Sequence, residues 1–328
     1  VTPPAEGTLG AATEVELARE RFRRDALEAL ETTPKQLSPK YFYDAHGSEL
    51  FDAICELPEY YVTRAETEIL ESHARSIVAS WGDRVRVVEP GAGSGLKTRL
   101  VLNALGADRC AEYVPVDISR EYLASAASRL RADLPWLRVT PLAADFTASF
   151  EVPTHADAGA STVIYFPGST IGNFDPAEAE RLLARFARAA GPGGAVVLGV
   201  DLKKSPEVLH AAYNDAQGVT AAFNRNVLAR MNRELGADFE PSRFAHYAFF
   251  EPVKGRIEMH LVSLTRQEVT VSGRRFRFAE GESIRTECSY KYDLPRAESL
   301  VRAAGLGIAD MWTDPARRFA VLELRPLV

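Results

Sequence analysis

From Arg84 onward, apolar residues recur with two alternating periods. Short apolar runs near 85–89, 112–116, 137–142, 161–166 and 195–201 predict strands, and amphipathic stretches near 95–106, 119–133 and 176–190 predict the helices between them. This alternation is the signature of an α/β protein with a parallel, doubly wound sheet. In such sheets ligands bind beyond the C-terminal ends of the strands, where the strand order reverses. After Asp201 the rhythm changes. A helix begins at Ser205-Pro206-Glu207 and contains Tyr213, and an Asn-rich helix covers 219–235. Residues 244–250, 256–262, 268–271, 275–278 and 283–290 then alternate in β fashion, with Gly255 and Gly273 at turns. A helix over 296–304 and strands at 307–312 and 319–324 close the chain.

Upstream, residues 1–14 are rich in Pro, Gly and Ala and are expected to be disordered. A charged helix over 14–32 carries Leu17, Phe22 and Leu27 on one side. Aromatic residues, Tyr43 and Tyr60 among them, then surround a short amphipathic helix near 47–54. They suit a hydrophobic lid, and a tyrosine there can also turn its hydroxyl to a polar ligand. Thr63-Arg64-Ala65-Glu66 offers a capping box for a helix over 63–79. The expected organisation is a doubly wound domain of residues 62–201 and 293–328. A second, α+β domain of residues 15–61 and 202–292 is expected as an insert after the fifth strand, roofing the ligand edge.

Candidate chemistry gathers at successive strand ends. The first strand runs into Glu89-Pro90-Gly91-Ala92-Gly93-Ser94-Gly95-Leu96-Lys97-Thr98. Glycines at alternate positions let a backbone turn tightly and a ligand come close, and the helix that follows presents unpaired N–H groups to it. The dinucleotide fingerprint needs a glycine where Leu96 stands, and the Gly-Lys-Ser/Thr ending of a P-loop is missing. An ordinary tight β–α turn has a similar pattern. The second strand ends at Asp117, where an acid commonly binds ribose hydroxyls. Asp117 equally suits the cap of a helix starting near Ser119. The third run ends at Asp145-Phe146, and the fourth at Pro167-Gly168-Ser169-Thr170-Ile171-Gly172-Asn173-Phe174. Asn173 there can orient an amine, or serve as a turn residue or an N-cap. Glu287 and Ser289 stand two apart in a predicted strand and so share a face. An acid and a hydroxyl match the donor and acceptor nitrogens of a neutral imidazole. A solvated strand face has the same pattern, and Glu282 is a competing acid nearby.

The net charge of −6 supplies no global attraction to nucleic acid or an anionic membrane. The three cysteines, Cys55, Cys110 and Cys288, form no C-x-x-C pair, which points to small core residues in a reducing cytosol rather than to zinc or disulfides. The first residues lack a signal pattern and no run is apolar enough to span a membrane. The chain does not begin with Met, which suggests a processed or trimmed start. A cytoplasmic monomer without a metal is expected.

The E-x-G-x-G-x-G spacing resembles the first motif of class I S-adenosylmethionine-dependent methyltransferases, whose sheets end in an antiparallel hairpin. Four further stretches sharpen the likeness: Tyr41-Phe42-Tyr43-Asp44-Ala45-His46-Gly47-Ser48, Leu57-Pro58-Glu59-Tyr60-Tyr61, Phe166 to Phe174, and Ile284-Arg285-Thr286-Glu287-Cys288-Ser289-Tyr290-Lys291-Tyr292. From about residue 20 to the end the chain resembles the histidine-specific Nα-methyltransferases of ergothioneine biosynthesis. That resemblance implies a Rossmann-like class I fold and transfer of three methyl groups from S-adenosylmethionine to the α-amine of L-histidine, giving hercynine. It implies that Tyr60, Asn173 and Tyr213 hold the substrate's amine and carboxylate, beside Gly168, with Tyr43 near the amine. Glu287 and Ser289 would bind the imidazole nitrogens and Met259 would line the ring pocket. Gly91, Gly93, Lys97, Asp117, Asp145 and Phe146 would hold the cofactor.

A sulfonium is already an activated methyl donor, so the chemistry implied needs no metal. Two rival functions fit the same scaffold. One is an N- or O-methyltransferase for another amino acid or small molecule, distinguished only by Glu287, Ser289 and Met259. The other is a cofactor-binding sensor or scaffold without turnover. A nucleic-acid methyltransferase is disfavoured by the charge and by Pro167-Gly168 where such enzymes usually carry a double proline.

Overall fold

The computed structural model describes residues 6–93, 95–148 and 159–327. It begins with helix α1 (Glu6–Glu31), strand β1 (Lys35–Gln36) and helices α2 (Ala45–Glu56) and α3 (Tyr61–Ala79). The alternating region follows as β2 (Val85–Pro90), α4 (Leu96–Arg109), β3 (Cys110–Asp117), α5 (Arg120–Asp133), β4 (Leu142–Ala143), β5 (Ser161–Phe166), α6 (Pro176–Ala190) and β6 (Ala195–Asp201). Helices α7 (Pro206–Tyr213) and α8 (Val219–Leu235) lead to strands β7 (Phe244–Glu251), β8 (Arg256–Ser263), β9 (Gln267–Val271), β10 (Arg274–Phe278) and β11 (Ser283–Tyr290). Helix α9 (Leu294–Ala303) and strands β12 (Leu306–Thr313) and β13 (Phe319–Pro326) complete the order. The chain divides into two compact units. The larger comprises Cys55–Ala212, Phe250–Ile257 and Cys288–Val328, and the smaller the chain up to Ile54, Tyr213–Phe249 and Glu258–Glu287. Helix α7 therefore belongs with the larger unit save for its last residue, where the expected insert began at residue 202.

Burial on both faces of the strands sets the layers of the larger unit. Val88, Val114, Ile164, Phe166, Val196 and Leu198 share one core with Leu182, Leu183 and Phe186 of α6 and Val301 of α9. Val87, Tyr113, Val163, Tyr165 and Val197 are equally buried at the intervening positions, so they face the other way. A strand buried on both faces reads as a continuous apolar run, as these do. Among the described residues the sheet is ordered β12-β13-β6-β5-β2-β3-β4. Strand β2 pairs in parallel with both β3 and β5, so the order reverses there. Strand β13 is antiparallel to β6 and to β12, which forms the closing hairpin.

Three local expectations are corrected. The strand expected over 137–142 is reduced to β4, with a lone bridge from Val139 to Tyr113. Pro141 cannot donate to the ladder, which interrupts the pairing. Helix α1 starts at Glu6, within the segment 1–14 expected to be disordered; residues 1–5 lie outside the described residues. From Glu6 to Glu14 the segment carries no proline, so no residue in it lacks the backbone N–H that a helix uses. The capping box at Thr63 does not form. Helix α3 starts two residues earlier with Tyr60 at its N-cap, the Thr63 hydroxyl donates to Cys55 Sγ, and Glu66 is drawn into the interior.

In the smaller unit, β1 lies parallel to β11 in a sheet ordered β1-β11-β8-β7, and β9 and β10 form an antiparallel hairpin. Helix α8 buries Phe223, Asn224, Val227, Leu228 and Met231. Among the described residues no helix is long and apolar enough to cross a membrane, and no cluster of His, Cys, Asp or Glu could hold a metal ion.

Candidate active site

The glycine loop is tied down on one side and bare on the other. Gly91 N and Ala92 N both donate to Val116 O at the end of β3, at 2.8 and 3.2 Å. Gly91 turns at φ +70°, and Gly95 caps α4 at φ +74°, conformations that favour glycine. Beneath the loop lies Glu89, whose carboxylate accepts from the Thr98 and Tyr113 hydroxyls at 2.6 Å each. These two bonds join β2, α4 and β3. Burial pushes the Glu89 carboxyl up to about 7, against the pull of both hydroxyls.

Lys97, in the first turn of α4, is committed to a partner that the sequence did not suggest. Its ammonium pairs with the fully buried carboxylate of Glu66 on α3. Glu66 also accepts from Gly168 N at 3.1 and 3.0 Å. One carboxylate thus fixes a lysine beside the glycine loop and the turn after β5. Gly199 makes room for it, since a methyl group there would stand 2.5 Å from Glu66 Oε1. The signal for Glu66 lay in α3's periodicity. Glu66 falls on the stripe of Val62, Ala65, Ile69 and Leu70, and an acid on an apolar stripe must find a buried partner.

The other strand ends of the larger unit carry the expected groups. Asp117 closes β3 and accepts from Ser119 N at 2.8 Å, while Ser119 itself is the N-cap of α5. Burial pushes the Asp117 carboxyl up to about 6, against these backbone bonds. Asp145 accepts from Thr147 N and from the Thr147 hydroxyl, at 2.9 and 2.5 Å. Phe146 sets its ring edge-on to Phe166 and Phe174. After β5, Gly168 and Ser169 both take left-handed conformations, and half-buried Asn173 ends the short helical turn Thr170–Asn173. The N-cap of α6 is Asp175, so Asn173 is not used as a cap. Tyr60 is 9% exposed at the start of α3.

Ser289 lies in a charged cluster of the same unit. The Lys291 ammonium donates to Ser289 Oγ at 2.8 Å and lies 2.8 Å from Asp201 Oδ2. Asp201 also accepts from the Tyr61 hydroxyl at 2.9 and 2.8 Å and from Lys204 at 2.6 Å. Burial pushes the Asp201 carboxyl up, but the two ammonium groups outweigh it and hold the group below its usual range. Sequence reasoning missed Asp201, Lys204 and Lys291.

The remaining candidates belong to the smaller unit. Tyr43 places its ring edge-on to Phe51 and Phe223, each at 5.6 Å. Tyr213 is buried, and its carbonyl accepts from His246. Met259 is 2% exposed, with its carbonyl bonded to the Thr286 hydroxyl. Along β11 Ile284 and Thr286 are buried, while Ser283, Arg285 and Glu287 are half-buried. The competing acid Glu282 is engaged elsewhere, with Lys35 at 2.5 Å and Ala279 N at 2.9 Å.

Over residues 22–326 the chain matches the family described as histidine-specific, SAM-dependent methyltransferases. It belongs to that family. It is 41% identical to the histidine N-alpha-methyltransferase of Mycolicibacterium smegmatis, over 93% of this chain and 94% of that protein. The enzyme of the same name from Mycobacterium tuberculosis is also 41% identical, over 92% and 93%. Among solved structures, the CcbJ methyltransferase from Streptomyces caelestis superposes with a TM-score of 0.50 at 15% identity, covering 87% of this chain and all of that one, a likeness of fold. The sheet order and closing hairpin are those of the class I methyltransferase fold.

The loop fits the methyl donor on which this family depends. A methyl group at Gly91 would stand 3.4 Å from the Phe146 ring, whereas Gly93 and Gly95 face open space. Bare backbone, an adjacent aromatic ring and the carboxylate of Asp117 at the next strand end suit a nucleoside carrying an amino-acid tail.

Proposed function

We propose that the protein transfers three methyl groups from S-adenosylmethionine to the α-amine of L-histidine, forming hercynine, as the first step of ergothioneine biosynthesis. The observation that carries this is the family match across 22–326, which takes in both the glycine loop and the Glu287–Ser289 segment. Gly91, Gly93, Lys97, Asp117, Asp145 and Phe146 hold the cofactor, whose sulfonium supplies an activated methyl. In the larger unit, Tyr60 and Asn173 accept from the substrate amine and aim its lone pair, Gly168 lies beside them, and Ser289 meets the imidazole. In the smaller unit, Tyr43 and Tyr213 serve the amino-acid end of the substrate, and Glu287 and Met259 serve the ring.

The amine must be neutral when it reacts, because only then does it have a lone pair. Oxygen acceptors on Tyr60 and Asn173 bond the N–H groups of the neutral amine and so hold its lone pair toward the methyl group. Positioning of this kind contributes roughly 7–11 kcal/mol of barrier lowering. At least one amine contact must be replaceable, since each transfer removes an N–H. The reaction takes place in the cytoplasm on a monomer, with no metal, nucleic acid or membrane. The test is incubation with S-adenosylmethionine labelled in its methyl group and each common amino acid in turn. Label on histidine alone is expected; label on a different amino acid overturns the substrate assignment.

A further inference from the structure

Resting on the proposal that Ser289 meets the imidazole, we propose that Lys291 is a positioning residue that sets the hydrogen-bond polarity of Ser289. The site thereby selects a ring nitrogen that accepts a hydrogen bond. Lys291 is among the largest fully buried side chains of the protein. An ammonium is rarely placed there, because it must be paired to be tolerated and an apolar side chain would serve packing as well. Lys291 pairs with Asp201 Oδ2 and with Ser289 Oγ, each at 2.8 Å. Asp201 is itself clamped by Tyr61 and Lys204, so the whole cluster is fixed.

The polarity follows from the donor inventory. An ammonium has three donors and no acceptor. Ser289 Oγ therefore accepts from Lys291, and its own proton must go to a group that accepts. A charged donor on the oxygen also polarises the hydroxyl, strengthening it as a donor and weakening it as a further acceptor. A neutral imidazole presents one nitrogen lone pair to such a hydroxyl. An imidazolium presents only N–H groups, and its charge would approach an ammonium lying 2.8 Å behind the same oxygen. Lys291 thus turns a generic serine into a reader of the neutral ring.

The experiment uses the full chain, with Lys291→Met, Ser289→Ala and the double variant, measuring kcat, KM for histidine and binding of S-adenosylhomocysteine. Each single change is expected to raise KM about 10–30-fold, with kcat within about threefold and cofactor-product binding unchanged. The double variant should be no worse than Ser289→Ala alone. Multiplying effects would mean that Lys291 supports the fold and not Ser289, and would overturn the inference. The wild-type protein gives a second test that does not depend on a variant folding. An alanine bearing a pyrrole ring has an N–H but no accepting nitrogen, and its kcat/KM should be at least about 30-fold below that of histidine. Equal use of both overturns the inference. Its failure is separable from that of the proposed function. No transfer to histidine by the wild type sinks the function, and an unchanged KM in Ser289→Ala sinks the Ser289 contact. A raised KM in Ser289→Ala but not in Lys291→Met sinks the role of Lys291 alone.

Discussion

Removing the Glu66 carboxylate should damage the protein at two proposed ligand contacts at once. Glu66 is fully buried, pairs with Lys97 and accepts from Gly168 N. Removing one partner of a buried ion pair costs about 3–5 kcal/mol. The Lys97 side chain is 20% exposed, so water recovers part of its solvation, and about 2–4 kcal/mol is expected. In a unit of this size each kcal/mol moves Tm by about 2–4 °C. Taking the midpoint, Glu66→Ala should lower Tm by roughly 6–12 °C. Glu66→Gln keeps an acceptor for Gly168 and the side-chain volume, so its loss should be about half as large. Gly199→Ala pushes a methyl group to within 2.5 Å of Glu66 Oε1 and should resemble Glu66→Ala. Scanning calorimetry of the full chain, with titration of S-adenosylhomocysteine, measures both effects. A Tm within about 2 °C of wild type for Glu66→Ala would refute the reasoning.

Four other changes have definite expectations. Glu287→Ala should lower kcat/KM for histidine at least about 100-fold while binding of S-adenosylhomocysteine stays within about threefold; equal loss of both in titration calorimetry contradicts the ring assignment. The Glu89 carboxyl, pushed up to about 7 from 4.5, makes the folded state bind more protons between those values. Its contribution is fully present below about pH 4.5 and is lost as pH rises through 7, up to about 3 kcal/mol. Glu89→Gln, whose carbonyl can still accept from Thr98 and Tyr113, should flatten this fall in urea titrations. Asp117, pushed up to about 6, accepts ribose hydroxyls most strongly, and through both oxygens, when ionised, so cofactor affinity should fall as pH drops through 6 and Asp117→Asn should abolish that dependence. Gly91→Ala, at φ +70° and 3.4 Å from Phe146, should weaken cofactor binding about 5–30-fold by equilibrium dialysis.

The parallel sheet was legible because its strands, buried on both faces, read as unbroken apolar runs, and the glycine loop marked the turn from β2 into α4. The strand β11 itself was legible from the alternation along 283–290. What stayed hidden depends on partners distant in sequence. Glu66 lies 31 residues from Lys97 and 102 from Gly168, and only its place on an apolar stripe hinted at burial. Lys291 sits inside a stretch singled out from the sequence, yet a lysine is assigned to the surface by default, and the Asp201 that buries it is contributed by β6. Pro141 was visible in the sequence, and the interruption of the third strand follows from its missing N–H. The division between the units at Tyr213 was not visible, because α7 carries the same helical pattern whichever unit it joins.

The central claim is tested most directly by mass spectrometry of the amino-acid product formed with S-adenosylmethionine deuterated in its methyl group. The expected product is histidine carrying three deuterated methyls on its α-nitrogen, with three S-adenosylhomocysteine released per molecule. Methyls on a ring nitrogen, or a different amino acid modified while histidine is untouched, would contradict the account.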